Sequence, residues 1–143
     1  MAKTFRCQIV TPTAEMFDGD VTYVDLPAWD GQMGVMSSRA AMLVSLGSGR
    51  LRLEMGAGGR REFVLRDGFA QMDQDTLTLL TEVAEPAESI DAADAERELA
   101  AANADLAGSQ DGRPRGPEAI EEIAKRQRLA MIRRSVARGR NSR

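Results

Sequence analysis

The chain has 143 residues, 43% of them hydrophobic, with a formal net charge of −3, one cysteine and no histidine. This suffices for one compact domain with room for a small appendage, while the missing histidine excludes a His-based triad or a His/Cys zinc site and the lone Cys7 forms no internal disulfide. No charge-poor apolar run approaches the roughly 20 residues of a membrane-spanning helix, and MAKTFRCQIV lacks the apolar block of a signal peptide, so the chain is expected in the cytoplasm.

From residue 3 to about residue 81 the apolar residues come in short, nearly alternating runs, the signature of strands. In the first, Phe5, Cys7 and Ile9 point one way and Arg6 and Gln8 the other, until Thr11-Pro12 ends the run because proline cannot donate to a ladder. Further runs cover Val21 to Leu26, Met42 to Leu46, Leu51 to Glu54, Glu62 to Leu65, Phe69 to Met72 and Leu77 to Thr81. Between them Asp18-Gly19, Asp30-Gly31, Gly47-Ser48-Gly49, Gly56 to Gly59, Asp67-Gly68 and Asp73 to Asp75 read as turns. Short strands at this spacing predict an antiparallel sandwich or barrel.

At Ala84-Glu85-Pro86 the alternation stops, which predicts a boundary between a strand domain, 1–86, and a second module, 87–143. Residues 91–107 are rich in Ala, Leu and Glu, with Ala95, Leu99, Ala102 and Leu106 on one stripe and Ser89 or Asp91 as N-cap. A connector dense in Gly and Pro follows over 108–117, and helical character resumes from Glu118 to about Ala137, so the two segments predict an antiparallel helical hairpin. The second helix carries two partial apolar faces: Ile120, Ile123, Ala124, Gln127 and Met131 on one, Leu129, Ile132 and Val136 nearly opposite. It is either a helix that twists between two neighbours of one core or one with two alternative docking partners.

Chemistry-bearing constellations are sparse. There is no GxxxxGK[ST] phosphate loop, and Gly56-Ala57-Gly58-Gly59 reads as a hairpin turn. Cys7 alternates with core residues and has no histidine to activate it, and the pairs Glu121-Glu122 and Asp73-Asp75 read as solvated surface, so no enzyme, metal or cofactor is expected. Charge is lopsided: residues 1–112 hold 9 Lys+Arg against 19 Asp+Glu, a balance of −10, whereas 113–143 hold 10 against 3, a balance of +7. The basic tail has no aromatic side chain to stack on bases, and the rest of the chain repels phosphate. An acidic protein surface is therefore expected as its partner rather than nucleic acid, with a simply solvated helix as the other reading.

Three segments carry a resemblance: TFRCQIVTPTAEMFDGDV (4–21), VDLPAWDGQMGVMSSRAAMLVSLGSGRLRL (24–53) and FVLRDGFAQMDQDTLTLLTEVAEPAESID (63–91). In order and spacing they resemble the epsilon subunits of bacterial F-type ATP synthases, which have a Gly-Glu-hydrophobic-Gly turn, a Pro-Gly-His-Ala-Pro loop, a Gly-Gly-Phe-Ala strand and an Ile-Asp entry to a helical hairpin. The resemblance implies a ten-stranded β-sandwich followed by a two-helix hairpin, and a non-catalytic role in the rotor at the foot of the central stalk. The sandwich would bind the gamma subunit and the membrane ring, and the hairpin would extend toward the catalytic beta subunits and restrain ATP hydrolysis. It further implies a peripheral position on the cytoplasmic face of the inner membrane.

Asp30, Gln32, Met33 and Arg39 are the candidates for the ring-facing loop, Met33 and Met42 being either core or adaptable contacts; Arg126, Arg133 and Arg134 are the candidates for the catalytic head. The chain departs from the family pattern at Ser37-Ser38-Arg39-Ala40-Ala41, which stands for Pro-Gly-His-Ala-Pro, and at Gln32, which stands for an acidic residue. It also has Asp94 where relatives that bind ATP in the hairpin carry arginine, which predicts that ATP is not the latch here. The alternative is a stand-alone sandwich adaptor whose basic hairpin grips an unrelated acidic protein.

Overall fold

The computed structural model describes residues 3–108 and 116–141. Its strands are β1 (Phe5–Val10), β2 (Glu15–Ala28), β3 (Gly31–Val35), β4 (Met42–Leu46), β5 (Gly49–Met55), β6 (Arg60–Asp73) and β7 (Thr76–Pro86). A 3₁₀ turn, Ala87–Ser89, is followed by helices α1 (Ala92–Ala107) and α2 (Pro117–Asn141). The chain divides into two compact units, Met1–Ala87 and Glu88–Arg143.

In the first unit two ladders run side by side. One joins β4, the C-terminal half of β6, the N-terminal half of β7, β1 and the N-terminal half of β2; the other joins β3, the C-terminal half of β2, β5, the N-terminal half of β6 and the end of β7. Between them lies a shared core that includes Cys7, Ile9, Val24, Leu51, Phe63, Leu65, Leu77 and Leu79. The expected ten strands are thus seven continuous ones, because β2, β6 and β7 each bend and serve both ladders. The expected antiparallel order also needs correction, since β1 and β7 pair parallel.

The bends explain why alternation fragmented in the sequence. In β2 the inward residues are Phe17 and Val21, then Val24 and Leu26, and the register against β5 shifts between Val21 and Tyr23. Such a bulge flips which parity faces the core. β6 and β7 flip together: Phe63 and Leu65 face inward before the bend and Ala70 and Met72 after it, while Leu77 and Leu79 give way to Ala84. At this bend Asp67 and Gly68 take left-handed φ of 49° and 134°, so the Asp67-Gly68 pair lies inside a strand rather than at a turn. The buried hydroxyl of Thr81 sits 2.7 Å from the Asp67 carbonyl oxygen and 3.0 Å from that of Arg66, supplying the donor that the distorted ladder lacks there. Asp18-Gly19 likewise lies inside β2. The glycines at 56–59 do form the β5–β6 hairpin loop, Gly58 and Gly59 taking φ of 97° and 88°.

In the second unit Asp91 is the N-cap of α1, its carboxylate accepting from the Ala93 amide at 2.9 Å. α1 buries Ala95, Leu99 and Ala102, while Leu106 at the end of the predicted stripe is exposed. On α2 Ile123, Ala130, Val136 and Ala137 are buried: Ile123 comes from the first predicted face, Val136 from the second, and Ala130 and Ala137, seven positions apart, lie between them; Ile120 and Met131 are exposed. Among the described residues no helix is long and apolar enough to cross a membrane.

Candidate functional site

The residues nominated for the ring-facing loop are strung along one sheet edge. β3 ends its ladder and pairs only with β2, so Gln32 and Met33 belong to an edge strand, with Asp30 in the turn before it and Arg39 in the loop after it. Gln32 lies flat on the sheet, its Nε2 donating to Asp25 Oδ1 at 2.9 Å and to the Arg50 carbonyl at 3.2 Å. Met33 packs against the core, as does Met42. Arg39 folds back, donating from Nε to Met42 Sδ at 3.2 Å and from Nη1 to the Gly34 carbonyl at 3.5 Å. The apolar side chains that do stand out are Trp29, 73% exposed, and Met36, 61% exposed, at the two ends of the edge. The sequence marked Trp29 only by placing the chain's single tryptophan beside the Asp30-Gly31 turn.

A second surface was not legible at all. On the outer face of the β1–β7–β6–β4 ladder Phe69 and Leu80 are cross-strand partners and both are about half exposed, flanked by Ser45 on β4 and Val10 on β1. With Thr11 and Pro12 they line an open cavity of about 680 Å³. Leu43, 71% exposed, stands two residues along β4 on the same side as Ser45.

In the hairpin the basic face of α2 meets the acidic face of α1. Arg126 pairs with Asp105 at 3.1 Å, Arg133 with Glu98 at 2.5 Å and Arg134 with Glu96 at 3.6 Å, and Arg138 also reaches Glu96. Gln127 donates to Asn103 at 2.6 Å. The partner numbers fall along α1 as they rise along α2, which makes the helices antiparallel. The three arginines nominated for the catalytic head are therefore engaged with α1 in this conformation. Asp94 is paired with Arg97 on its own helix, so a phosphate approaching the first turn of α1 meets a cation already neutralised.

Elsewhere the chemistry is quiet. Burial pushes the Cys7 thiol up to about 12, and among the described residues no cluster of His, Cys, Asp or Glu could hold a metal ion. The Arg6 guanidinium, bidentate to Asp18 at 2.9 and 2.7 Å, holds that carboxyl below its ordinary value.

Known proteins resemble this chain over most of its length. The family model described as "ATP synthase, Delta/Epsilon chain, beta-sandwich domain" matches residues 4–87. An ATP synthase epsilon chain of Rhodopirellula baltica is 40% identical over 99 residues, 69% of this chain and 77% of that one. One from Synechococcus sp. is 36% identical over 122 residues, 85% and 87% of the two chains. The fold recurs in a chain of the Euglena gracilis mitochondrial ATP synthase (TM-score 0.77, 18% identity, 90% of this chain and 78% of that one). It also recurs in the central stalk and c-ring structure from Tetrahymena thermophila (TM-score 0.62, 12% identity, 94% and 97%). Since the family model spans more than half of the sequence and these relatives align over most of both chains, the protein belongs to the ATP synthase delta/epsilon chain family.

Proposed function

We propose that this chain, a non-catalytic subunit of the ATP synthase central stalk, combines a rigid sandwich adaptor that has two docking surfaces with a regulatory hairpin. The observation that carries this reading is the exposed Phe69–Leu80 row over its open cavity. Large apolar side chains paired across a sheet face, with Leu43 exposed on the same face, lose contact with water only when a partner covers them. The gamma subunit is the partner assigned to that face. The membrane ring is assigned to the β3 edge, from Asp30 and Gln32 through Met33 to the loop carrying Arg39, with Trp29 and Met36 as its apolar contacts. Torque transfer needs a stiff join, and long bent strands shared by both ladders supply it.

The hairpin is the regulatory element. Arg126, Arg133 and Arg134 exchange the carboxylates of α1 for acidic surface on the catalytic beta subunits when α2 extends, restraining ATP hydrolysis. Exposed ion pairs are worth only about 0.2–1 kcal/mol each, so the two sets of partners are close enough in strength for a conformational equilibrium. The subunit is peripheral, held through the complex at the cytoplasmic face of the inner membrane.

The test is binding of purified gamma to the chain carrying Phe69→Ser and Leu80→Ser. Burial of side chains this size from full exposure contributes about 1.5–3 kcal/mol each and these two start half buried, so affinity should fall by about tenfold to a hundredfold with the melting temperature little changed. Undiminished gamma binding by this variant overturns the assignment of the face.

A further inference from the structure

The loop over residues 36–41 has lost the two devices that would fix its shape. Where the family pattern has proline, then glycine, then a second proline, this chain has Ser37, Ser38 and Ala41. Proline would restrict φ, and glycine would enter left-handed backbone without steric penalty. Ser38 nevertheless takes φ 63°. Such a conformation persists at a non-glycine residue only where its surroundings over-determine it.

Those surroundings come from two distant elements. The Ser38 amide donates to Asp75 Oδ1 at 2.8 Å, and Lys3 Nζ donates to Ser38 Oγ at 3.3 Å. Asp75 is a firm anchor. It sits in the β6–β7 turn, where Gln74 and Asp75 take φ of 50° and 57° between the paired residues Asp73 and Thr76, the left-handed pair that a tight hairpin favours. Its own carbonyl accepts from the Arg6 amide of β1 at 3.0 Å. The backbone that carries the carboxylate is therefore fixed on both sides, and an amide bonded to the carboxylate is held by a charge-assisted hydrogen bond.

We infer that Asp75 is a positioning residue: its carboxylate, with Lys3 in support, clamps Ser38 and so holds the loop that presents Met36 and Arg39 in a defined shape. The clamp does in this chain what the proline and glycine positions do in the family pattern. The docking consequence rests on the proposed ring-facing role of this loop.

The experiment compares the full chain with Asp75→Gly, which removes the acceptor yet suits the left-handed turn, with Asp75→Asn, which keeps an acceptor oxygen, and with Asp75→Gly/Ser38→Gly. Amide exchange is followed in the isolated chain, and affinity is measured for the detergent-solubilised membrane ring with gamma bound. Asp75→Gly should speed exchange at Ser38 by about tenfold or more and weaken docking. Asp75→Asn should stay near wild type on both readouts. The double variant should recover docking only in part, since glycine reaches this φ without penalty but supplies no anchor for the loop; full recovery would show that backbone strain alone, and not the clamp, sets the loop. Unchanged exchange at Ser38 in Asp75→Gly overturns the clamp, and faster exchange with unchanged docking overturns the positioning role. Failure of the wild-type chain itself to dock strikes the ring-facing reading instead, and the exchange result then decides the clamp by itself.

Discussion

Gly68 shows how much of the architecture can hang on one residue. A Cβ added there would lie 2.0 Å from the Leu80 carbonyl oxygen, at a φ of +134° that side chains rarely adopt. Gly68→Ala should therefore cost about 3 kcal/mol or more, lowering the melting temperature of the sandwich by about 10 °C or more, as read by circular dichroism. With its thiol pushed up to about 12, Cys7 should not react with a thiol reagent at pH 8 in the native protein and should react fully once denaturant is added. The raised value means the neutral thiol is favoured in the fold, so its contribution is intact below the ordinary value of 9.0 and is lost as pH rises toward about 12. Urea midpoints measured from pH 8 to 11 should fall, and a Cys7→Ala chain should fall less. Alternation alone placed Cys7 in the core, whereas nothing local marked Gly68 as more than a turn glycine, because its crowding comes from a residue twelve positions away.

At the scale of elements, the hairpin buries apolar residues edged by ion pairs. Leu99, Ile123 and Val136 are buried together with the smaller Ala95, Ala102, Ala130 and Ala137, and the ion pairs add a polar contribution along the edge. Replacing Glu96 and Glu98 by Gln removes partners of Arg133, Arg134 and Arg138 without touching the arginines. At about 0.2–1 kcal/mol per pair, the closed state should lose a few-fold in population. ATP hydrolysis by the assembled complex should then fall, while Ala at Arg126, Arg133 and Arg134 together, which removes the closed-state pairs and the head contacts alike, should not lower it; an equal fall with both sets would show that the arginines serve only the closed hairpin. Calorimetric titration of the isolated chain with ATP should give no saturable heat, since Asp94 is a carboxylate and the arginines that could compensate are paired. The helices, the Asp91 cap and the basic face of α2 were legible from composition and spacing. The buried stripe of α1, Ala95, Leu99 and Ala102, was legible as well; the burial of Ala130 and Ala137 on α2 was not, because two weak apolar faces in α2 leave its orientation to whichever helix it meets.

For the molecule as a whole, the division at residue 87 makes the sandwich a candidate for independent folding. A fragment of residues 1–87 should melt in one cooperative transition and keep its affinity for gamma; a fragment that stays unfolded, or folds without binding gamma, would show that the hairpin is integral to the adaptor. By itself the sequence determined the strand-then-helix order, the break near Pro86, the absence of histidine chemistry and, through three motif-bearing segments, the family. These are properties of local pattern, and local pattern survives in one dimension. Only the tertiary structure decided that seven strands serve two ladders, that β1 and β7 run parallel, that Gln32 and Met33 lie on an edge strand, and that Phe69 and Leu80 stand exposed side by side. Each depends on a bend or a pairing between distant residues. A single bulge reverses which side of a strand faces the core, so the same alternating residues read as buried or exposed according to a register that no segment carries alone.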